Sequence, residues 1–205
     1  MRWPAAESVV LLKNEDDLLP LKPGQRVALI GDFAQTPRYQ GAGSSSVNAT
    51  RVDNLKDAAE ADDITLAGFC AGYERSGTPN PAFVEEAAAL ARKADVVVLC
   101  MGLDESSESE GLDRSHICIP ENQKQLLEAV AQANENLVVV LSAGSVVETG
   151  WVSRCKAVLH AYLGGQAGAG AIMDVLTGRV NPSGKLAETL PLTYEDTPAA
   201  RRRQA

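Results

Sequence analysis

Residues 81–102 read PAFVEEAAALARKADVVVLCMG, and this stretch decides the class of fold. Its first part, 81–93, is a helical pattern with proline at the start, where the missing backbone N–H is not needed. Its second part, 95–102, is an unbroken apolar run of strand length. A strand that is apolar along its whole length is buried on both faces, as in parallel sheets that carry helices on both sides.

The same alternation continues in both directions from this stretch. A strand, a helix and a further strand precede it, and after it come helix, strand, strand and helix, with an additional helical pattern at the start. The predicted strands are 26–32, 64–69, 95–102, 137–141 and 157–163, and the predicted helices are 5–14, 54–61, 81–93, 120–134 and 166–176. Right-handed crossovers between such strands give an α/β fold with a mostly parallel, doubly wound sheet flanked by helices, a flavodoxin-like α/β sandwich.

The end of the chain departs from this alternation. Residues 186–190 follow a Pro-Ser-Gly turn and are predicted to add an antiparallel edge strand. Residues 197–205 form a polar, arginine-rich tail that we expect to be disordered. One domain therefore covers residues 1–196.

Composition and charge exclude several classes of function. The net charge of −8 argues against nucleic acid and anionic membranes as partners, since both need a basic surface. No window approaches the roughly 20 apolar residues of a membrane-spanning helix. The first residues are followed at once by a charged helical pattern, which is not typical of a signal peptide.

The cysteines and histidines indicate neither a metal site nor a cofactor. Cys70, Cys100, Cys118 and Cys155 lie far apart, and most stand in or beside apolar runs. Packed, reduced thiols are therefore favoured over a disulfide pair, which predicts a reducing compartment and a cytoplasmic location. No cluster of histidine and cysteine has the spacing of metal ligands.

The loop after the third predicted strand, DESSESEGLDR (104–114), is unusually acidic. It contains five carboxylates and one cation. Like charges held this close raise at least one carboxyl pKa, as a general acid at neutral pH requires. Gly111 permits a tight turn that would present Glu110 outward. Taken alone, however, the segment is more typical of a solvated acidic loop, and it lacks the spacing of an EF-hand.

Two glycine-rich segments also follow predicted strands. YQGAGSSS (39–46) could place backbone N–H groups and hydroxyls against a ligand, although by itself it indicates a plain surface turn. GGQAGAG (164–170) opens a helix, where an anion could bind, but close packing of helix against sheet is the favoured use of its glycines. Neither segment has the spacing of a dinucleotide or phosphate loop, which makes a nucleotide-binding protein an unfavoured alternative.

Several motifs, in order along the chain, resemble the C-terminal domain of family 3 glycoside hydrolases. They are ESVVLLKNE (7–15) with LLP (18–20), VALIG (27–31), GAGSS (41–45), ESEGLDR (108–114), Pro120 with Gln123, GGQ (164–166), DVLTG (174–178) and NPSGKL (181–186). The resemblance covers about residues 5–197. The form of the 108–114 motif is most similar to the β-glucosidase branch.

The resemblance implies a retaining hydrolase of β-linked glucosides, with an active site between this domain and a (β/α)₈ barrel. In the family the barrel supplies an aspartate nucleophile, and this domain supplies the acid/base glutamate of the Ser-Glu-Gly step. That position is Glu110 here, with Glu108 as the runner-up because short acidic loops can be misaligned by two residues. Ser44 corresponds to a serine that approaches the leaving-group side and is the predicted substrate-binding residue. The resemblance implies no metal.

The predicted partners are a β-glucoside or oligosaccharide substrate and a barrel domain, in the same chain or another. A barrel needs about 250 residues, and this chain of 205 has none to spare. We therefore expect half of an active site, inactive in the isolated chain. The competing hypothesis is a stand-alone carbohydrate-binding or interaction domain that uses the Ser44 and Glu110 loops without catalysis.

Overall fold

The computed structural model of the protein describes residues 2–202. These residues form six strands and six α-helices, and short 3₁₀ turns connect some of them. In chain order they are α1 Arg2–Ser8, β1 Val10–Asn14, β2 Arg26–Ile30, α2 Leu55–Glu60, β3 Thr65–Cys70, α3 Pro81–Ala91, β4 Val96–Gly102, α4 Glu121–Ala133, β5 Leu137–Ser142, β6 Ala157–His160, α5 Gly168–Leu176 and α6 Pro198–Arg202. The five strands and the helices of the predicted α/β fold are confirmed, apart from the first helix.

All six strands belong to one sheet, in the order β1-β6-β5-β4-β2-β3. Strands β2 to β6 pair in parallel, and β1 pairs antiparallel with β6. The order reverses direction between β2 and β4, since β3 lies on one side of β2 and the later strands lie on the other. This is the mostly parallel, doubly wound sheet that the sequence predicts.

The antiparallel edge strand lies at the beginning of the chain and not at 186–190. The predicted helix 5–14 is wrong beyond Ser8, because residues 10–14 form β1, with Val10 opposite His160. The predicted strand 186–190 is wrong, since these residues have no strand and are mostly exposed. The edge of the sheet is already occupied by β1, and the turn before 186–190 attaches to its start through the Gly184 N–H, which donates to the Val9 carbonyl at 3.1 Å.

The core lies on both faces of the sheet, as the apolar strands require. Alternate residues of β4 point to opposite sides, with Val98 in one cluster and Leu99 in the other. Helices α1, α2 and α5 cover the first face, and α3 and α4 cover the second. Burial raises the pKa of the Cys100 thiol to about 12, as expected for a packed cysteine.

The predicted tail is structured in part. Helix α6 lies within the segment 197–205 that the sequence predicts as disordered, and residues 203–205 lie outside the described residues. The domain boundary at residue 196 stays a prediction.

Two glycines let the carboxyl ends of the central strands approach one another. Gly31 follows β2 with φ +111°, and a Cβ there would lie 2.1 Å from the Cys100 carbonyl oxygen of β4. Gly102 ends β4 with φ +149°, and a Cβ there would lie 1.8 Å from the Ser142 carbonyl oxygen of β5. The loops after β2, β4 and β5 therefore leave the sheet side by side. This edge is where ligands of doubly wound sheets bind.

Candidate active site

The acidic loop (104–114) and the first glycine-rich loop (39–46) meet at this edge of the sheet. The Ser44 backbone N–H donates to Oε2 of Glu110 at 2.7 Å. The Glu110 N–H in turn faces the Ala42 carbonyl at 3.5 Å. Gly43, with φ +88°, lies between them, and a Cβ there would be 2.6 Å from the Cβ of Glu110. The glycine-rich loop thus accommodates the glutamate because it has no side chain at this position.

Glu110 is exposed and its pKa is lowered. Hydrogen bonds from the Ser44 side chain and backbone favour the ionised carboxylate, which moves the pKa of Glu110 below its ordinary value. The rise that the crowding of like charges predicts for at least one carboxyl of this loop is therefore not found at Glu110. Water around the exposed side chain weakens the repulsion between neighbouring carboxylates, while the Ser44 bonds act directly on it.

The beginning of the acidic loop has its own local structure. Oδ1 of Asp104 accepts hydrogen bonds from the Ser106 hydroxyl at 2.8 Å and from the Ser107 N–H and hydroxyl at 2.9 and 2.8 Å. Although burial opposes ionisation, these hydrogen bonds lower the pKa of Asp104. The serines that separate the carboxylates in the sequence therefore fold the first turn of the loop.

Glu108 is more enclosed by the protein than Glu110. Both of its carboxylate oxygens lie 3.0 Å from the Gly144 N–H, and the Ser145 hydroxyl donates to Oε1 at 2.5 Å. The guanidinium of Arg38 lies 3.8 Å from Oε2, and the two side chains are only 1% (Arg38) and 10% (Glu108) exposed. The two candidate glutamates therefore have different environments, one enclosed and the other open.

Residues that the sequence did not identify complete this arrangement. Arg38, Gly144 and Ser145 come from the loops after β2 and β5, and no motif indicated that they would reach Glu108. Arg114 belongs to the acidic motif, and its Nη1 donates to the Ser145 hydroxyl at 2.9 Å and to the Val146 carbonyl at 2.6 Å. Only the position of these loops at the same edge of the sheet could have indicated the contact.

An open cleft of about 440 Å³ lies between the three loops. Arg38, Glu108, Arg114 and Ser145 form part of its wall, and Glu110 lies at its side with Leu112 and Leu163. The cleft is wide enough for a sugar ring, and it presents the solvent-accessible carboxylate of Glu110, which is held by the Ser44 backbone N–H. Such a group can exchange a proton with a ligand that enters the cleft.

A second cavity, beside α5, is too small for a sugar. Its volume is about 30 Å³, and Arg38, Tyr162 and Ser142 are among its lining residues. A space of this size accommodates ordered water. The cleft beside Glu110, in contrast, has space for a sugar ring.

The second glycine-rich segment serves packing. The Gly165 N–H donates to the Tyr39 carbonyl at 2.8 Å, which joins this segment to the loop after β2. A Cβ on Gly164 would lie 3.0 Å from the Cα of Gly168, at the start of α5. The glycines therefore allow a tight turn into α5, as the sequence favoured.

The histidines are not arranged around a metal. His160 is fully buried in β6, and burial lowers its pKa. His116 is exposed, and its Nδ1 accepts from the Cys118 N–H at 3.2 Å. Within residues 2–202, no three His, Cys, Asp or Glu side chains are grouped so that they could hold a metal ion. In the same part of the chain, no helix is long and apolar enough to cross a membrane.

Comparison with known proteins identifies close relatives of the whole domain. Residues 9–205 match the sequence model of the glycosyl hydrolase family 3 C-terminal domain. Thermostable beta-glucosidase B of Acetivibrio thermocellus is 51% identical over 203 residues, which cover 97% of this chain and 27% of that protein. The exo-alpha-(1->6)-L-arabinopyranosidase of Bifidobacterium longum is 45% identical over 206 residues, which cover 95% of this chain and 27% of that protein.

A solved structure shows the same fold. The crystal structure of the Bifidobacterium adolescentis GH3 beta-glucosidase matches with a TM-score of 0.90 and 45% sequence identity. The match covers 96% of this chain and 29% of that one. The chain therefore spans less than a third of the length of these relatives.

Proposed function

Because this chain belongs to the family of glycosyl hydrolase family 3 C-terminal domains, we propose that it forms one side of the active site of a retaining β-glucosidase. Glu110 is the general acid/base of the reaction. An aspartate on a (β/α)₈ barrel, in the same chain or another, is the nucleophile. The substrate is a terminal β-D-glucosidic bond. The observation that carries this proposal is the contact between Ser44 and Glu110 at the side of the open cleft.

The environments of the two glutamates support the choice of Glu110. A general acid must come within hydrogen-bond distance of the oxygen that it protonates. Glu110 is exposed beside the cleft, whereas Glu108 already accepts from Gly144 and Ser145 and is mostly enclosed. Glu108 is therefore less available to a substrate than Glu110.

The lowered pKa of Glu110 fits a site that needs a second domain. Retaining hydrolysis requires the acid/base carboxyl to be protonated first and ionised later, about 5–5.5 Å from the nucleophile. In this chain the hydrogen bonds from Ser44 favour the ionised form. A barrel that covers the cleft would remove water and bring a second carboxylate close, and both effects raise the pKa. Glu110 then becomes an acid only in the assembled site.

Ser44 has a supporting role in this proposal. Its backbone N–H holds Glu110, and the residue itself is exposed at the tip of the glycine-rich loop. A hydroxyl beside the acid/base carboxyl lies on the side from which the leaving group departs. We therefore assign Ser44 to binding of the leaving group.

The proposals for the sugar and the compartment rest on the relatives and on the cysteines. Relatives with comparable identity are named for glucosides and for arabinopyranosides. We propose a glucoside because the 51% identical relative is a β-glucosidase. The cytoplasmic location remains a proposal, supported by the burial of Cys70, Cys100 and Cys155 as free thiols.

Azide rescue tests the role of Glu110 in an enzyme that contains this domain and its barrel. Glu110→Ala should lower turnover of substrates with poor leaving groups by about 10²–10⁴, the usual contribution of general acid catalysis. An activated aryl glucoside needs no proton for departure, so its glycosylation step should be much less affected. Azide should restore the rate, because it attacks the glycosyl-enzyme without a general base.

The outcomes separate the candidate functions. Azide rescue of Glu108→Ala but not of Glu110→Ala would make Glu108 the acid/base. If neither change affects turnover while both weaken sugar binding, the chain is a binding domain without a catalytic role.

A further inference from the structure

Two loops that are distant in sequence from the acidic loop converge on the side chain of Glu108. Arg38 comes from the loop after β2, and Gly144 and Ser145 come from the loop after β5. All the polar groups that face the carboxylate are donors: the Gly144 N–H, the Ser145 hydroxyl and the Arg38 guanidinium. These donors therefore complement a side chain that accepts hydrogen bonds.

The main chain at residue 108 is held as well. Nη2 of Arg38 donates to the Glu108 carbonyl oxygen at 3.1 Å, while the same guanidinium lies beside the carboxylate. Burying these two charges is costly unless each is paired and hydrogen-bonded. Arg38 and Glu108 therefore depend on each other, and together they fix one end of the segment that bears Glu110.

Arg114 fixes the other end of the same segment. It donates to Ser145, the residue that also donates to Glu108, and to the Val146 carbonyl. The segment 108–114 is thus attached at both ends to the loop after β5. Glu110 lies between these two attachments, and its own side chain contacts the glycine-rich loop.

We propose that Glu108 is a positioning residue, which together with Arg38 and Ser145 holds the segment 108–114 so that Glu110 reaches the Ser44 loop and the cleft. This inference rests on the proposed role of Glu110. Glu108 itself does not contact the substrate. Its carboxylate acts on Glu110 through the backbone. Only one residue separates 108 from 110, so a shift of residue 108 also displaces residue 110.

The position of Glu110 can be tested in the 205-residue chain by NMR titration of its side-chain carboxyl. In Glu108→Gln, the side-chain NH₂ group of the glutamine is a donor. It would face the donors of Gly144, Ser145 and Arg38, so hydrogen bonds to Glu108 would be lost. The segment should shift, the bond from Ser44 should be lost, and the midpoint of the Glu110 titration should move up. The Ser44 amide resonance should change at the same time.

The sign of this shift separates positioning from electrostatics. Removing a neighbouring negative charge makes ionisation easier and would move the Glu110 midpoint down. Glu105→Gln is the matched control, since Glu105 is an exposed carboxylate of the same loop that contacts Arg75 and not the Glu108 cluster. In Glu105→Gln, the midpoint of the Glu110 titration should stay the same or fall. An upward shift in Glu108→Gln alone therefore reports a change in position.

A milder variant guards against global unfolding. Ser145→Ala keeps all charges and removes one donor to Glu108, so it should shift the Glu110 midpoint in the same direction but less. Thermal melts of the three variants show whether the fold is retained. If Ser145→Ala and Glu108→Gln remain folded and leave the Glu110 titration and the Ser44 resonance unchanged, Glu108 has no positioning role and the proposal is wrong.

Kinetics in the enzyme that contains the barrel complete the test. Glu108→Gln should lower kcat for poor leaving groups about 10²-fold, the cost of a displaced catalytic group, with little change in KM. Azide should not rescue it, since the Glu110 carboxylate is still present. A failure of azide to rescue Glu110→Ala would contradict the proposed function and leave the NMR result for Glu108 standing. An unchanged titration would contradict the positioning role alone.

Discussion

Glu108 and Glu110 differ by two residues and have opposite environments. Glu108 is enclosed by donors and Glu110 is open to solvent, with one backbone N–H directed at its carboxylate. Only Ser109 lies between them in the chain. The direction of each glutamate side chain is therefore set by the groups that its carboxylate contacts. The sequence ESEG offers two equivalent glutamates, and only the loops after β2 and β5 distinguish them. This is why the sequence leaves Glu108 as a runner-up.

Gly43→Ala should displace Glu110 without changing any residue that hydrogen-bonds to it. The new Cβ would lie 2.6 Å from the Cβ of Glu110 and 2.9 Å from its Oε2. An alanine at φ +88° also costs roughly 1–2 kcal/mol of backbone strain. We expect the midpoint of the Glu110 titration to rise, because the Ser44 bond is lost, and we expect a small fall in thermal stability.

Gly77→Ala is the control for the strain in that experiment. Gly77 has a similar φ of +80° but no atom within 4 Å of the added Cβ. It should show a comparable loss of stability and an unchanged Glu110 titration. Equal titrations in the two variants would argue that Gly43 does not shape the site.

At the scale of elements, the buried strands could be predicted because their sequences are apolar along nearly their whole length. Strands β4 and β5 are apolar at nearly every position, and each is covered on both faces. Strand β1 could not be predicted in this way. Its residues 10–14, VLLKN, are a short apolar run that fits a helix or a strand, and pairing with β6 decides between them. Local periodicity contains no information about that distant partner.

Gln123 connects α4 to the end of β4, just before the acidic loop. Its Oε1 accepts from the Gly102 N–H at 2.8 Å, and the residue is only 3% exposed. Gln123→Leu keeps a similar size but leaves a buried N–H without an acceptor, which costs roughly 1–3 kcal/mol. Urea denaturation should show this loss of unfolding free energy. Gln125→Leu, on the exposed side of the same helix, should be nearly neutral, and an equal loss in both variants would contradict the role of the Gly102 bond.

At the scale of the whole molecule, the position of the site could be predicted and its internal contacts could not. Parallel strands deliver their following loops to one edge, and both the acidic loop and the first glycine-rich loop follow predicted strands. The contacts of Arg38 and Ser145 with Glu108 depend on the lengths and turns of three loops, for which the sequence has no periodic signal. The site that results is open on one side, with the exposed carboxylate of Glu110 at the junction of two loops.

The 205-residue chain alone should therefore release no nitrophenol from an aryl β-glucoside above background. Glu110 can exchange a proton, but retention also needs a nucleophilic carboxylate about 5–5.5 Å away, which we place on the barrel. A cooperative thermal melt of the same sample should show that the chain is folded, because both faces of its sheet are covered. Turnover by the isolated chain that Glu110→Ala abolishes would mean that the chain provides its own nucleophile. Activity that appears only after a barrel domain is added would show that the two carboxyls come from separate folding units.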